Sequence, residues 1–584
     1  MSIPAVPDVA EPMSRRVVLK LHDQVEINRD ARDVARLNRE HQILWKDIER
    51  DFGRSITIGA LFSSVANDEI DALVRLAERR HGREYTHSRS LATRYVAPSF
   101  HHYLVIQTPP EIAEKLPEYL RDKFADAFQY AYVRYDDHDA GPGFPGLAQN
   151  ARPIMLRAHD PRARPSASKT YQWYLHAAPV GLGIVPLWQA NVAGADGSGQ
   201  HFVDIERGWT LDHQWLLKNP ADTLPWIKME RSNGGDLCDT SRSHGTAVLG
   251  VVCATHDAKA IIGFAPRTET AAVISIWARP AEVDTRQSSA PRPAMPMTAD
   301  AIMLAAARLA KASQQSARSP DFADDQRFGL NAVLLIEAQA NISMRPIYNY
   351  PVEIYPDTFH AIELATRAGI TVIEPAGNGN QFQGEASAAY KANLKQGRKL
   401  AEYVDMNQPL VESLSGPGSW ASLTNPSRST AFIDSGAILV AAASHTAPPK
   451  PRSDAKFEDR PWTPWQYSNR GERVDCYAQG VYVLTAQSDD VMNTGTYSKD
   501  SANDDFGATS AAAAIIAGAA LSIQGIHAAN FGAAMSPSRL REAFRDQTPE
   551  SGGTAVMTVS RLEKKKVGVI PNLENVVRHH LTPP

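Results

Sequence analysis

The sequence predicts an α/β protein, a doubly wound parallel sheet flanked by helices, preceded by a small ferredoxin-like α+β unit. Three observations point there. The chain has 584 residues, 43% hydrophobic and 22% charged, which is enough apolar material for more than one core. From about residue 200 onward, apolar runs of strand length alternate with segments of helix length, as they do when helices wrap a parallel sheet. Before residue 136 the order is shorter, with three strands separated by amphipathic helices.

The N-terminal unit spans 15–136, after a disordered stretch expected over 1–14. Val17 to Leu21 forms its first strand. A helix follows at Glu69 to Arg80, where Ile70, Leu73, Val74 and Ala77 recur at helical spacing and Asn67 or Asp68 can cap the start. His102 to Gln107 is the next strand, Glu118 to Phe128 a second helix with Pro117 at its first turn, and Tyr130 to Tyr135 the last strand. The extra segment Gln24 to Asp68 is helical near Asp33 to Arg50. A tract rich in Gly, Pro, Asp and Ala, 137–168, cannot pack as an element and reads as a linker.

The remaining 169–584 carries the alternation. Its strands are expected at His201 to Ile205, Thr270 to Trp277, Ala332 to Ala338 and Ile370 to Glu374, and its helices at His244 to Ala254, Asp300 to Ala312 and Thr358 to Ala368. Polar insertions interrupt it at about 279–327 and 380–428. In such sheets functional groups gather beyond the carboxyl ends of the strands.

Composition narrows the function. Lys and Arg total 61 against 65 for Asp and Glu, so a net charge of -4 leaves no electrostatic footprint for nucleic acid or an anionic membrane. Three cysteines, Cys238, Cys253 and Cys476, allow at most one disulfide and no cysteine-built zinc site. MSIPAVPDVAEPMSRR lacks the apolar core of a signal peptide, and the run Ala511 to Leu521 is too short and alanine-rich to span a bilayer. A cytoplasmic monomer is the default expectation. No H-E-x-x-H, no phosphate-binding G-x-x-x-x-G-K-[ST] and no readable calcium loop occurs, so neither a metal nor a cofactor is expected. The Lys564 to Lys566 cluster reads as solvated surface.

Three segments bear chemistry. In FGATSAAAAIIAGAALSIQG, Gly507, Thr509 and Ser510 precede small residues of high helix propensity, so Ser510 opens a helix. Unpaired backbone N–H groups and the positive helix end there favour developing negative charge, which an acyl-transfer nucleophile needs. In SRSHGTAVLGVVCA, His244 opens a second helix whose Gly245, Ala247 and Gly250 permit close packing. Asp204 ends the run HFVDI, and Asn378 follows another apolar run in PAGNGN. Each alone also fits a cap, core or turn residue.

Together, in the order Asp, His, Asn, Ser, these segments resemble the subtilisin-like serine protease family. SHGTAVLG resembles its His-Gly-Thr helix, GATSAAAAIIAGAA its Gly-Thr-Ser helix, and AGNGN its oxyanion-hole loop. GFAP at 263–266, DSGAILVAAAS at 434–444 and YSNRGERVDCYAQG at 467–480 resemble its connecting strands, and 15–136 resembles its inhibitory and chaperoning prodomain. Three departures stand out. Ala508 takes the place of the Gly before Thr-Ser, Ala514 that of a proline, and Asp204 is followed by Ile205 and Glu206 rather than a small hydroxyl residue and Gly.

The resemblance implies a serine endopeptidase in which Ser510 is the nucleophile, His244 the base and Asp204 the group that fixes the imidazole. Asn378 would complete the oxyanion hole. Protein or peptide substrates would add as a strand along Glu337 to Asn341 and Pro375 to Gly377, with Ala338, Gln339, Ala376 and Gly377 in contact. The protein's own N-terminal domain would be a partner, with self-cleavage within 137–168. Structural calcium is common in the family, but no ligand pattern marks it here. The rival readings are a catalytically inactive copy of the fold used for protein binding, and an esterase or lipase, which the lack of a G-x-S-x-G elbow disfavours.

Overall fold

The computed structural model describes residues 15–24, 39–53, 56–81, 95–124, 126–135, 137–139, 172–218, 225–232, 235–255, 261–277, 297–316, 328–341, 349–379, 403–406, 433–445, 462–489, 495–546, 548, 555–556 and 568–581. Residues 1–14, the linker from 140 to 168, and the insertion 380–428 apart from 403–406 lie outside the described residues.

The N-terminal unit is a four-stranded antiparallel sheet of β1 (Arg15–Leu21), β2 (Thr57–Ala60), β3 (Tyr103–Gln107) and β4 (Phe128–Tyr135), in the order β2-β3-β1-β4. β2, at the sheet's edge, was not anticipated from sequence. The helix Arg39–Phe52 crosses from β1 to β2, and Pro110–Ala113 with Leu116–Phe124 cross from β3 to β4. The helix Asn67–His81 sits between β2 and β3, with Asp68 and Glu69 in its first turn and Arg79, Arg80 and His81 in its last, as the helix dipole favours. Its apolar stripe of Ile70, Leu73, Leu76 and Ala77 is buried not within the unit but in a core shared with the larger domain. A two-residue strand, β5 (His138–Asp139), follows β4.

The larger domain is built on a sheet of β6 (His201–Glu206), β7 (Lys228–Glu230), β8 (Thr270–Ser275), β10 (Ala332–Ile336), β13 (Thr371–Pro375), β14 (Ile438–His445) and β16 (Cys476–Gln479). These run in the order β16-β14-β13-β10-β6-β8-β7, every neighbouring pair parallel. β21 (Val569–Ile570) and β20 (Ala555–Val556) extend the β16 edge, and β15 (Trp462–Pro464) pairs antiparallel with β14. Smaller pairs are β9 (Phe328–Gly329) with β19 (Ala534–Met535), and β17 (Val483–Gln487) with β18 (Ser501–Phe506). The run expected as one strand from Ala332 to Ala338 breaks at Glu337. Beyond it β11 (Ala338–Asn341) leaves the main sheet and joins β12 (Asn349–Pro351) on one side and β5 on the other.

Strand residues alternate sides, and here each side has its own core. Phe202, Val333 and Leu335 belong to one core with the helices Arg242–Cys253 and Ala508–Phe531, the histidine and serine helices. Val203, Ile205, Leu334 and Ile336 belong to the other, with the helices Thr298–Ser316 and Pro356–Arg367 and the stripe of Asn67–His81. Thr298–Ser316 lies within the insertion expected as polar, and its Ala299 and Ala301 to Ala306 are core. The serine helix runs to 24 residues, long and apolar enough to cross a membrane, yet 94% of its most apolar window is buried inside the protein. GFAP is not a strand. It folds back on the end of the histidine helix, Gly263 and Phe264 donating to the Ala254 and Val251 carbonyls. The three cysteines are buried and none forms a disulfide.

Candidate active site

β6 delivers two carboxylates to the same side of the sheet. Asp204 and Glu206 alternate with Val203 and Ile205, so both point toward the histidine and serine helices, and both are fully buried. They differ in height: Glu206 is the last residue of the strand, and Asp204 lies about 6.6 Å further in. His244 is the third residue of its helix, and Glu206 Oε2 accepts from its Nδ1 at 2.6 Å. Asp204 Oδ2 accepts from the indole Nε1 of Trp209 at 2.7 Å.

The expectation that Asp204 fixes the imidazole is therefore corrected. Glu206, at the rim, meets the ring. A signal for it stood in the sequence, because Gly208 follows Glu206 by two residues, the offset at which the family sets Gly after its Asp. A Cβ on Gly208 would lie 2.3 Å from the Cys238 carbonyl oxygen, so no larger residue fits there.

Ser510 is the third residue of the serine helix. Intrahelical bonding starts with Ala511 N donating to Gly507 O at 3.3 Å, so the Ser510 N–H precedes the ladder. Its side chain is fully buried, and Oγ has no hydrogen-bond partner among the described residues. The histidine and serine helices pack on each other, and the His244 ring stands edge-on to Phe506, four residues before Ser510, at 5.6 Å between centroids. Ala508 adopts φ +64, a left-handed backbone that a side chain disfavours and that glycine would adopt freely.

Asn378 lies three residues beyond the carboxyl end of β13. Its Oδ1 accepts from Thr509 N at 3.1 Å and Thr509 Oγ1 at 2.6 Å, which fixes the amide next to Ser510 and turns its Nδ2 edge away from Thr509. Its own N–H donates to Gln339 Oε1 at 3.0 Å. Gly377 is at φ +95, and a Cβ there would lie 2.6 Å from both Asn349 O and Asn469 Nδ2. Asn469 is a buried clamp that sequence reading missed: its Nδ2 donates to Asn349 O at 2.6 Å and Ala376 O at 2.7 Å, and its Oδ1 accepts from Val404 N at 2.8 Å.

Of the residues expected to meet substrate, Ala338 and Gln339 lie on β11, where they pair with Asp139 and His138 of β5. Ala376 and Gly377 bind inward, to Val440 and Asn469. Among the described residues no cluster of His, Cys, Asp and Glu could hold a metal ion.

Residues 226–561 match the subtilase family, a span that contains His244, Asn378 and Ser510 and begins after β6. Among curated proteins no sequence matches this chain. Among solved structures, one similar in part is the crystal structure of fervidolysin from Fervidobacterium pennivorans, a keratinolytic enzyme related to subtilisin. It shares 14% identity at a TM-score of 0.45, with 99% of this chain and 62% of that one covered. The chain thus spans less than two thirds of that enzyme's length. With the family matched over more than half of its residues and laid on a helix-flanked parallel sheet, the chain belongs to the subtilase family of protease-type hydrolases.

Proposed function

We propose that the protein is a serine endopeptidase that works through Ser510, His244 and Glu206. The observation that carries the reading is the bond between His244 Nδ1 and Glu206 at the strand rim, beside the helix whose third residue is Ser510. With Nδ1–H held by a carboxylate, Nε2 is the basic nitrogen. Ser510 Oγ attacks the scissile carbonyl and His244 takes its proton, later giving it to the leaving amine. Glu206 holds the ring in that tautomer and stabilises the imidazolium. The oxyanion is bound by the Ser510 N–H and the Asn378 amide, and water then releases the acyl group by the same steps in reverse.

The N-terminal residues 15–136 act as an inhibitory domain in this reading, and 169–584 as the peptidase. The β2-β3-β1-β4 order with two crossover connections fits a ferredoxin-like unit carrying Asn67–His81 as an inserted docking helix. β5 supports a covered cleft, because it takes the β11 edge that a substrate strand would use while Ser510 is buried. The bond cut in self-processing, expected within 137–168, falls mostly on residues outside those described.

Covalent labelling with a fluorophosphonate tests the chemistry. Wild type is expected to label and Ser510→Ala to stay unlabelled; an unlabelled wild type beside a labelled control protease would mean a binding module. Prolonged incubation of the two proteins tests processing, since both running as intact chains would exclude it.

A further inference from the structure

With Glu206 on the His244 ring, Asp204 instead holds the Trp209 indole, although a carboxyl group so deep in a core is costly to keep. We propose that Asp204 and Trp209 are a positioning pair that sets the histidine helix at the height where His244 meets Glu206. This rests on the reading of Glu206 as the imidazole's partner.

Trp209 is among the largest fully buried side chains. Its indole N–H donates to Asp204 Oδ2, and a hydrogen bond in such a buried site is strong and directional. The edge of the ring that carries the N–H is also the surface on which the histidine helix rests. A Cβ on Gly245 would lie 2.5 Å from Trp209 Cδ1, 2.6 Å from Nε1 and 2.3 Å from Gly208 O, so the helix backbone sits flush on the indole one residue from His244.

The same short segment is tied to the helix on both sides of that point. Arg242 Nη1 donates to Trp209 O at 3.1 Å, and Thr210 N donates to Thr246 Oγ1 at 2.9 Å, which itself donates to Arg242 O at 2.7 Å. The contacts form a closed circuit: β6 through Asp204 to the indole, the indole to Gly245, His244 to Glu206, and back to β6. A glutamate has one more torsion than an aspartate, so the carboxylate alone fixes the ring less firmly. The circuit supplies the missing constraint.

Steady-state kinetics on Asp204→Ala, Asp204→Asn and Trp209→Phe, beside Glu206→Gln, tests the pair. Asn keeps an acceptor oxygen for the indole; Ala removes it; Phe keeps the aromatic bulk and removes the donor. Asp204→Ala and Trp209→Phe are expected to lower kcat by about tenfold to a hundredfold with KM nearly unchanged, since a misplacement of about 1 Å costs that much. Asp204→Asn is expected to recover most of the loss. Wild-type kcat in Trp209→Phe, or no recovery in Asp204→Asn, would overturn the pairing, and Trp209→Phe decides it even if Asp204→Ala fails to fold. Collapse in Asp204→Asn with Glu206→Gln active would instead overturn the assignment of Glu206 itself.

Discussion

The two sides of the central sheet are built differently. On the side of the histidine and serine helices, backbones press together: a Cβ on Gly525 would lie 2.3 Å from Gly194 O, and one on Gly518 2.5 Å from Phe264 Cβ. Alanines from Ala511 to Ala514 fill what is left. On the side that receives the N-terminal unit, polar pairs ring an apolar centre. Arg134 binds Asp137 through two nitrogens at 2.7 and 2.6 Å and lies 3.9 Å from the centre of the Tyr355 ring. Tyr132 donates to Asp357 at 2.9 Å, Arg308 to Glu69 at 3.0 Å, and Ser64 N to Asp300 at 3.1 Å.

Close backbone packing tolerates no added atom, so that side can hold reacting groups to within the tolerance catalysis needs. Paired polar groups can trade partners for water, so that side is the one better able to open. On this contrast, substitutions at the catalytic rim should erase turnover and leave stability nearly unchanged, and substitutions at the docking side the reverse.

The largest effect is expected at Glu206. Replacing it by Gln leaves the shape and removes the charge, and kcat should fall on the order of 10^4-fold. Replacing it by Asp withdraws the carboxylate by one methylene, about 1.5 Å, and should cost roughly a hundredfold. Both are read from kcat with KM as control. Next comes Asn378→Ala, expected to lower kcat by about a hundred- to a thousandfold without abolishing turnover.

The segments that hold Ser510 and His244 were legible because small residues and a helix start mark them, and that of Asn378 because Gly-Asn-Gly follows an apolar run. The carboxylate was not, because Asp204 and Glu206 share one side of the strand and period-two alternation says nothing of height. Residue type favoured the aspartate. The spacing to Gly208 favoured the glutamate. Asn469 was invisible for another reason, since it serves Asn349 and Ala376, 120 and 93 positions away. Most of the strand and helix order was legible, β2 and GFAP apart, but the turn of β11 out of the sheet was not, because a single polar residue, Glu337, between Ile336 and Ala338 does not by itself end a strand pattern.

A smaller effect is expected on the docking side. Burial pushes the Asp300 carboxyl up to about 6, against the opposing hydrogen bonds from Ser64. A carboxyl whose value is raised by folding stabilises fully below its unfolded value near 3.8, and that contribution is lost as pH rises through 6. Wild type should therefore lose stability relative to Asp300→Asn between about pH 4 and pH 6.5, by a few kcal/mol at most, as read from denaturant unfolding. A difference that is flat with pH would show the contact to be unlinked to protonation.

The smallest is Ala508→Gly. Relief of the left-handed backbone at φ +64 should stabilise the protein by about 1 kcal/mol, seen as a rise in Tm. A fall would mean that the methyl group is needed where it packs.

The most direct test of the catalytic series is the low-field proton resonance of the His244 Nδ1–H. It should be present in wild type, persist in Asp204→Asn and vanish in Glu206→Gln. If it vanishes in Asp204→Asn and persists in Glu206→Gln, the imidazole answers to the inner carboxylate and the series described here is wrong.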